Sequence, residues 1–238
     1  MLLPEQGLRG VARIQSFRST PNGILSHLSR RDFGVLEPDL VGLELPLRRP
    51  LTVRKERIDD VYFIEAGIAS VVANGSGRQI EIGLIGREGM TGLGVVMGND
   101  RSPYDTYMQV AGRGLCISAA KLRKADERSA TLHRLIMKYT HVFLIQTAQT
   151  ALANGRSKIE ERLARWLLMA RERMDTDDLP LTHEFLALML GTQRPGVTIA
   201  LHALERGGLI TTARGKITIL DRKSLEESCN GTYIALAG

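Results

Sequence analysis

Four hydrogen-bonding side chains fall on one predicted face of a short helix near the carboxyl end of the sequence. They are Gln193, Arg194, Thr198 and His202. Amide, guanidinium, hydroxyl and imidazole groups bond base edges and phosphate oxygens. Arg194 is the predicted specific contact, because one guanidinium can bond guanine O6 and N7 together. This chemistry requires a helix that packs against the protein on one face and exposes these side chains on the opposite face.

A helix-turn-helix is predicted around these residues. Thr182 is a candidate N-cap, and Gly191 ends the first helix because glycine accepts the left-handed conformation of a tight turn. The second helix begins at Thr192 or Gln193, with Pro195 in its first turn, where a missing N–H is tolerated. The apolar residues expected to face the core are Phe185, Leu186, Met189 and Leu190 in the first helix and Val197, Ala200, Leu201 and Leu204 in the second.

A β-hairpin is predicted after the second helix. Gly207-Gly208 stops that helix, and Thr211 to Ile219 favours two short strands broken at Arg214-Gly215. A hairpin in this position is the wing of a winged helix, and a basic tip suits phosphate contacts. The wing and helix starts add four residues to the predicted DNA-binding set: Arg214, Lys216 and Thr182 as phosphate contacts, and Thr192 in the turn.

The segment LTHEFLALMLGTQRPGVTIALHALERGGLI, followed by RGKITILD, resembles the C-terminal DNA-binding domain of the Crp/Fnr family of bacterial transcription regulators. The resemblance implies an α+β fold with an N-terminal antiparallel β-roll of the cyclic-nucleotide-binding type, a long dimerisation helix and a C-terminal winged helix-turn-helix. It also implies double-stranded DNA, a second copy of the chain and RNA polymerase as partners. Arg194 matches a family arginine, but Pro195 stands where glutamate is common and Ile199 replaces a later arginine. The family's usual operator should therefore not be assumed.

The composition is that of an ordinary globular protein with a modest excess of positive charge. The 238 residues are 43% hydrophobic and 24% charged, and the net charge of +6 permits nucleic-acid binding without requiring it. Most of the excess lies in residues 119–180 rather than in 181–238. Apolar runs are too short for a membrane span, and the N-terminus lacks a signal-peptide core. We expect a cytoplasmic protein with no membrane contact.

Residues 1–118 are predicted to form the β-roll, after a helical lead-in from Gly23 to Leu40. The segments VYFIEAG, IASVVANGSG, QIEIGLIGREG, TYMQVAG and GLCIS each have the pattern of a strand followed by a glycine-marked turn. Asn74-Gly75 with Gly77 marks one hairpin. Strands at this spacing with glycine corners favour a roll or barrel over a parallel sheet.

No cofactor is predicted. Cyclic-nucleotide members of the family follow a glycine with a glutamate for the ribose, whereas Met90 to Gly94 places Leu93 in that position. The phosphate position reads Pro103-Tyr104-Asp105, with no well-placed arginine and an aspartate that would oppose an anion. Cys116 and Cys229 are too few for an iron–sulfur cluster in one subunit, and neither a metal site nor haem is predicted. Cys116 is expected to be buried, whereas Cys229 in the tail could be redox-active.

One long helix is predicted from Ala119 to Ala153, since neither proline nor glycine interrupts it. Its apolar stripe is expected to pair with the same stripe of a second subunit, although a helix buried within a monomer is the alternative. The stripe comprises Leu132, Leu135, Tyr139, Val142 and Ala153. Asn154-Gly155 is the predicted hinge before a further helix and an acidic loop at 175–180. The expected domains are residues 1–118, 119–153 and 156–238.

These observations predict a sequence-specific transcription regulator that binds DNA as a homodimer under the control of an unidentified effector. An enzyme is not predicted, because the sequence has no phosphate-binding loop, no G-x-S-x-G and no clustered metal ligands. The glycine-rich GLIGREGMTGLG lies among strands, where a dinucleotide site would not be expected. The alternative is a ligand-sensing or protein-binding module whose degenerate winged helix no longer binds DNA.

Overall fold

A computed structural model describes residues 20–75 and 78–235. The N-terminal residues expected to lack a signal peptide, and Gly77 of the expected hairpin turn, lie outside these ranges. None of the helices described there is both long and apolar enough to span a lipid bilayer.

The N-terminal half joins short helices to an antiparallel sheet. Its elements in chain order are α1 (Gly23–Ser26), α2 (Arg30–Leu36), β1 (Val41–Leu45), β2 (Pro50–Thr52), β3 (Asp60–Gly75), β4 (Arg78–Ile85) and β5 (Asp105–Ser118). The strands are hydrogen-bonded in the order β1-β5-β3-β4, and β2 also pairs with β5. The helical lead-in, the antiparallel sheet and the β3–β4 hairpin agree with the sequence predictions.

β3 and β5 are each one bent strand where the sequence predicted two strands separated by a turn. Gly67 in β3 has φ +86°, and a side chain on Gly112 in β5 would overlap the Ala66 carbonyl. The register between β3 and β5 shifts in this region. These glycines therefore form bulges that bend a paired ribbon rather than turns that end a strand.

The C-terminal half is mainly helical. Its elements are α3 (Ala119–Arg128), α4 (Ala130–Arg156), α5 (Ile159–Met174), β6 (Asp178–Leu179), α6 (His183–Met189), α7 (Arg194–Arg206), β7 (Ile210–Ala213), β8 (Lys216–Ile219) and α8 (Arg222–Glu227). β7 and β8 are the predicted wing hairpin. β6 pairs with β8 within the stretch predicted to be an acidic loop, because the buried Leu179 draws that stretch onto the core.

The long helix predicted from Ala119 to Ala153 is interrupted at Ser129. This residue is extended, with φ −131° and ψ 98°. Its hydroxyl oxygen accepts the N–H of Leu132 (3.1 Å) and its hydroxyl donates to Asp32 Oδ1 (2.7 Å). A serine cap therefore starts α4 without any proline or glycine.

α4 also continues through Asn154-Gly155, which was predicted to end it, and stops at Arg156. A glycine inside a helix costs about 1 kcal/mol relative to alanine, which a long helix tolerates. The break before α5 lies at Ser157-Lys158, where the Glu161 carboxylate accepts the Lys158 N–H (3.0 Å). The connection between α4 and α5 is thus later than predicted.

The stripe of α4 predicted to face a second subunit is largely buried within the chain. Leu132, Tyr139 and Ala153 are 0%, 6% and 2% exposed. The Tyr139 ring covers Gly89, where any side chain would collide with it, and an added Cβ on Gly83 would lie 2.8 Å from Phe143. The prediction was wrong because a helix that is apolar around much of its circumference does not reveal which face meets which partner.

The α4 helix also bonds to β4, the strand at one edge of the sheet. The side-chain amide of Gln146 accepts the N–H of Leu84 in β4 (2.6 Å) and donates to the carbonyl of the same residue (3.1 Å). Leu84 and Ile68 of the sheet pack with α5 to α8 in one apolar cluster, while a second cluster fills the sheet beneath α1 to α4. The two halves of the chain therefore share core residues.

Candidate nucleic-acid interface

The turn between α6 and α7 fixes the direction of the candidate reading helix. Gly191 has φ +58°, and the N–H of Thr192 donates to the carbonyl of Ala187 (2.9 Å). Gln193 is the N-cap of α7, and Pro195 lies in its first turn. Glycine at the corner and a small residue at the crossing allow the close approach of a helix-turn-helix. The predicted motif is confirmed.

One face of α7 is buried and the opposite face is exposed. The residues predicted to face the core, Val197, Ala200, Leu201 and Leu204, are each at most 5% exposed. Arg194 and Gln193 lie at the exposed N-terminal end of the helix. Because that end of a recognition helix is the part that contacts base edges, their placement suits the predicted contacts.

Thr198 and His202, also predicted to contact bases, are placed differently from each other. Thr198 is half-buried, its hydroxyl donates to the Arg194 carbonyl (3.2 Å), and Nδ1 of His183 lies 3.1 Å from its oxygen. The His202 side chain is exposed, with Nδ1 3.6 Å from Glu205 Oε2. The His202 ring is therefore accessible although it lies beside Glu205, whereas the half-buried Thr198 hydroxyl already bonds within the domain.

The outward residue beside Thr198 is Ile199, which is 63% exposed. No other large hydrophobic residue in the described ranges is more exposed. Sequence reasoning noted it only as a missing arginine. Its exposure could have been predicted from the sequence, because Ile199 lies one helical turn after Pro195 and both residues are opposite the buried stripe.

The wing carries the two predicted basic contacts. Arg214 is exposed at the β7–β8 turn, where Gly215 has φ +73°. Lys216 pairs with Asp178 of β6, with Nζ 3.2 Å from Oδ2, and the Thr218 hydroxyl donates to Oδ1 of the same carboxylate (2.6 Å). A phosphate contact by Lys216 would thus compete with an acidic neighbour that the sequence analysis left unassigned.

The two predicted threonine contacts lie at the helix starts. Thr182 is the exposed N-cap of α6, and its hydroxyl oxygen accepts the N–H of Phe185 (3.3 Å). Thr192 is half-buried in the turn. All the predicted DNA-binding residues belong to the winged helix, but only some are free to bind without breaking an internal contact.

An ionisable side chain links this winged helix to the sheet. Glu81 of β4 is 5% exposed, and it accepts hydrogen bonds from the Trp166 indole (2.7 Å) and the Ser70 hydroxyl (2.5 Å). Burial raises the pKa of Glu81 to about 7. Trp166 in turn packs edge-on against Phe185 of α6 (ring centroids 5.5 Å apart). The sequence feature that could have indicated the burial of Glu81 is its position between two isoleucines in QIEIGLI.

The turn from Met90 to Gly94, where the sequence lacks a ribose-binding glutamate, is tied to the sheet. Thr91 is buried, and its hydroxyl oxygen accepts the N–H of Tyr62 (3.0 Å). On the nearby α4 helix, the Thr147 hydroxyl donates to the Phe143 carbonyl (2.9 Å). Within residues 20–75 and 78–235, no group of three His, Cys, Asp or Glu residues is placed to hold a metal ion.

Both cysteines are buried thiols. Cys116 is buried, as predicted. Cys229, which was considered for a redox role, is fully buried and its thiol donates to the Leu225 carbonyl (3.3 Å). Burial raises the pKa of each thiol to about 12. The reactive thiolate is therefore disfavoured at both positions.

Comparison with known proteins identifies the C-terminal part of the chain. Residues 161–228 match the family model of the Crp-like helix-turn-helix domain. No curated protein matches the sequence.

Solved structures with a similar fold include three bacterial regulators. A CRP-family transcriptional regulator from Thermus thermophilus has a TM-score of 0.68 and 18% identity, and the match covers 82% of this chain and 100% of that one. FixK2 from Bradyrhizobium japonicum has a TM-score of 0.69 and 18% identity, with coverages of 83% and 99%. The c-di-GMP-responsive global regulator CLP from Xanthomonas campestris has a TM-score of 0.67 and 16% identity, with coverages of 81% and 100%. At such identities the likeness concerns the fold. Together with the matched domain, it confirms the resemblance indicated by the sequence motifs.

Proposed function

We propose that this chain, a Crp/Fnr-type transcription regulator in its fold and its helix-turn-helix domain, binds DNA sequence-specifically as a homodimer under the control of an unidentified effector. The observation that carries the proposal is the two-sided character of α7. Its buried face is anchored by Val197, Ala200, Leu201 and Leu204, while Arg194 and Gln193 remain exposed at its leading end. A helix held in this way can enter the major groove.

The homodimer is supported by the face of α4 that the chain leaves uncovered. Leu144 and Leu152 are 63% and 47% exposed, and Ala148 and Ala151 lie exposed between them. From Tyr139 to Gly155 the helix contains no Asp, Glu, Lys or Arg. A long helix with an exposed uncharged face is stabilised by covering that face, and the small alanines allow close approach of an identical helix.

This pairing would relate the two winged helices by a two-fold axis. Two recognition helices so related read half-sites about 34 Å apart, which is one turn of B-DNA. Arg194 would supply the specific contact, with Gln193 and His202 beside it and Arg214 near the phosphates. The protein would act in the cytoplasm, where it would meet both DNA and RNA polymerase.

Binding to fragmented genomic DNA over a salt series tests the proposal. A small set of fragments should be retained at salt concentrations that release the rest, and the logarithm of the binding constant should fall linearly with the logarithm of salt. Fragments of random sequence with the same length are the control. Equal weak binding to every fragment, or none, would reject the proposal and favour a module that binds a protein through its winged helix.

A further inference from the structure

The outward face of α7 combines polar and apolar positions. Pro195, Ile199, His202 and Arg206 are exposed and recur at helical spacing opposite the buried stripe. Ile199 contributes nothing to the core that Val197, Ala200, Leu201 and Leu204 already form. As a β-branched residue it is also a weaker helix former than alanine or leucine. Neither packing within the domain nor helix propensity therefore accounts for isoleucine at this position.

The neighbours of Ile199 determine what it would meet in a major groove. Arg194 precedes it on the leading end, and His202 follows it one turn later, so a base edge read by either residue lies near the isoleucine. Thr198 cannot easily replace it as the contact, because its hydroxyl already donates to the Arg194 carbonyl (3.2 Å). Ile199 is thus the side chain projecting from the middle of the reading face.

An isoleucine restricts the identity of the base that it faces. Most major-groove base edges present hydrogen-bond donors or acceptors, and covering one with a hydrocarbon leaves it without a partner. The apolar group in this groove is the 5-methyl group of thymine. Contact between that methyl group and Ile199 removes hydrocarbon from water on both sides.

We propose that Ile199 is a specificity-determining residue that packs against the 5-methyl group of a thymine, so that each half-site contains an A·T pair at that position. The proposal rests on the proposed function, because it requires α7 to enter the major groove. Loss of one buried methyl group, worth ~0.8 kcal/mol, corresponds to about fourfold weaker binding.

The test removes the methyl group from the DNA and its partner from the protein. The tightest duplex recovered from genomic fragments is synthesised with deoxyuridine replacing one thymine at a time, symmetrically in both half-sites. Wild-type protein should lose about fourfold in affinity per half-site at one position. Ile199→Ala should bind the thymine duplex more weakly than wild type does. Replacing the sensitive thymine with deoxyuridine should not weaken the binding of this variant further. Leu188→Ala, which truncates a partly exposed leucine of α6 (37% exposed), should respond as wild type does.

The outcomes separate this inference from the proposed function. Absence of any selectively bound duplex would reject the function itself. Selective binding with equal uracil responses in wild type and Ile199→Ala, or with no uracil response, would overturn the role of Ile199 while leaving the regulator intact. Unchanged DNA affinity of Ile199→Ala would likewise overturn it and point to a protein contact. Thermal unfolding of each variant verifies that the exposed substitution leaves the fold unchanged.

Discussion

The indole N–H of Trp166 donates a 2.7 Å hydrogen bond to the carboxyl group of Glu81, and this bond joins α5 to β4. The Ser70 hydroxyl donates to the second oxygen of the same group (2.5 Å). Met189 of α6 also reaches this point, since its sulfur lies 3.6 Å from Ser70 Oγ. An ionisable residue is therefore enclosed where the sheet meets the helix-turn-helix.

The stability of the protein should fall as pH rises towards neutrality. Burial raises the pKa of Glu81 to about 7 from an ordinary 4.5, although the hydrogen bonds from Ser70 and Trp166, and more weakly two α5 arginines, oppose the shift. The folded state then holds a proton that the unfolded chain releases within this window. The stabilisation is complete at pH values below the unfolded-state pKa. It is reduced by about 3 kcal/mol at pH values above the folded-state pKa. Urea unfolding at about pH 5 and about pH 8 measures the difference.

Glu81→Gln identifies the source of this pH dependence. Glutamine keeps an oxygen for the Trp166 indole but cannot ionise, so the decline in unfolding free energy between the two pH values should become smaller by about 2–3 kcal/mol. Glu44→Gln, which changes an exposed glutamate of β1, should behave as wild type. An identical pH dependence in wild type and Glu81→Gln would show that Glu81 is ionised in the folded protein.

Arg194→Ala should cost ~1–3 kcal/mol of DNA-binding free energy and relax specificity at one base pair. The guanidinium is exposed at the start of α7, and a guanidinium can form two parallel hydrogen bonds with a guanine. Binding to a set of single-base variants of the selected site measures both effects. Arg128→Ala, at an exposed position in α3, is the matched control. Equal loss on every sequence would instead assign Arg194 to a phosphate.

If the chain pairs through α4 as proposed, Leu144→Glu should yield monomers and weaken DNA binding. Leu144 lies on the exposed uncharged face of α4, and two glutamates meeting there would be desolvated and would repel each other. Sedimentation velocity over a concentration series gives the oligomeric state. Leu47→Glu is a close control, because Leu47 is 59% exposed compared with 63% for Leu144 but lies on the sheet domain. Dissociation by both variants, or by neither, would contradict this assignment of the dimer face.

Asp178→Asn should tighten binding to DNA of any sequence. Removal of the carboxylate takes a negative charge from beside the phosphates and releases Lys216 from its 3.2 Å ion pair. One more phosphate contact should steepen the logarithmic salt dependence by about 1. Asp177→Asn, whose parent carboxylate pairs with Arg171, controls for the change in net charge. Unaltered affinity in a folded Asp178→Asn protein would exclude Lys216 from the interface.

The helix-turn-helix could be predicted from sequence because local rules determine its boundaries. Thr182 caps α6 with its own hydroxyl, Gly191 supplies the left-handed corner, and Pro195 suits the first turn of α7. Each of these effects involves neighbours within one helical turn. The chemistry of α7 was predicted less completely, because whether Thr198 or Ile199 points outward depends on how the helix is rotated against the core.

The features that sequence reasoning missed depend on distant contacts. Gly67 and Gly112 have the signature of turns, but the pairing of β3 with β5 makes them bulges. Ser129 caps α4 locally at Leu132, and the distant Asp32 holds its hydroxyl in place by accepting a hydrogen bond. The apolar stripe of α4 could have faced either the sheet or a second chain, and glycines of the sheet region, such as Gly89, open the space for its own subunit.

The paired hydrogen bonds between Gln146 and Leu84 make α4 behave towards β4 as a further strand would. Movement of α4 by one helical turn would break both bonds and leave the Leu84 N–H without its partner at the edge of the sheet. α4 is therefore held against β4 in one register, and any shift along its axis has to break both bonds together.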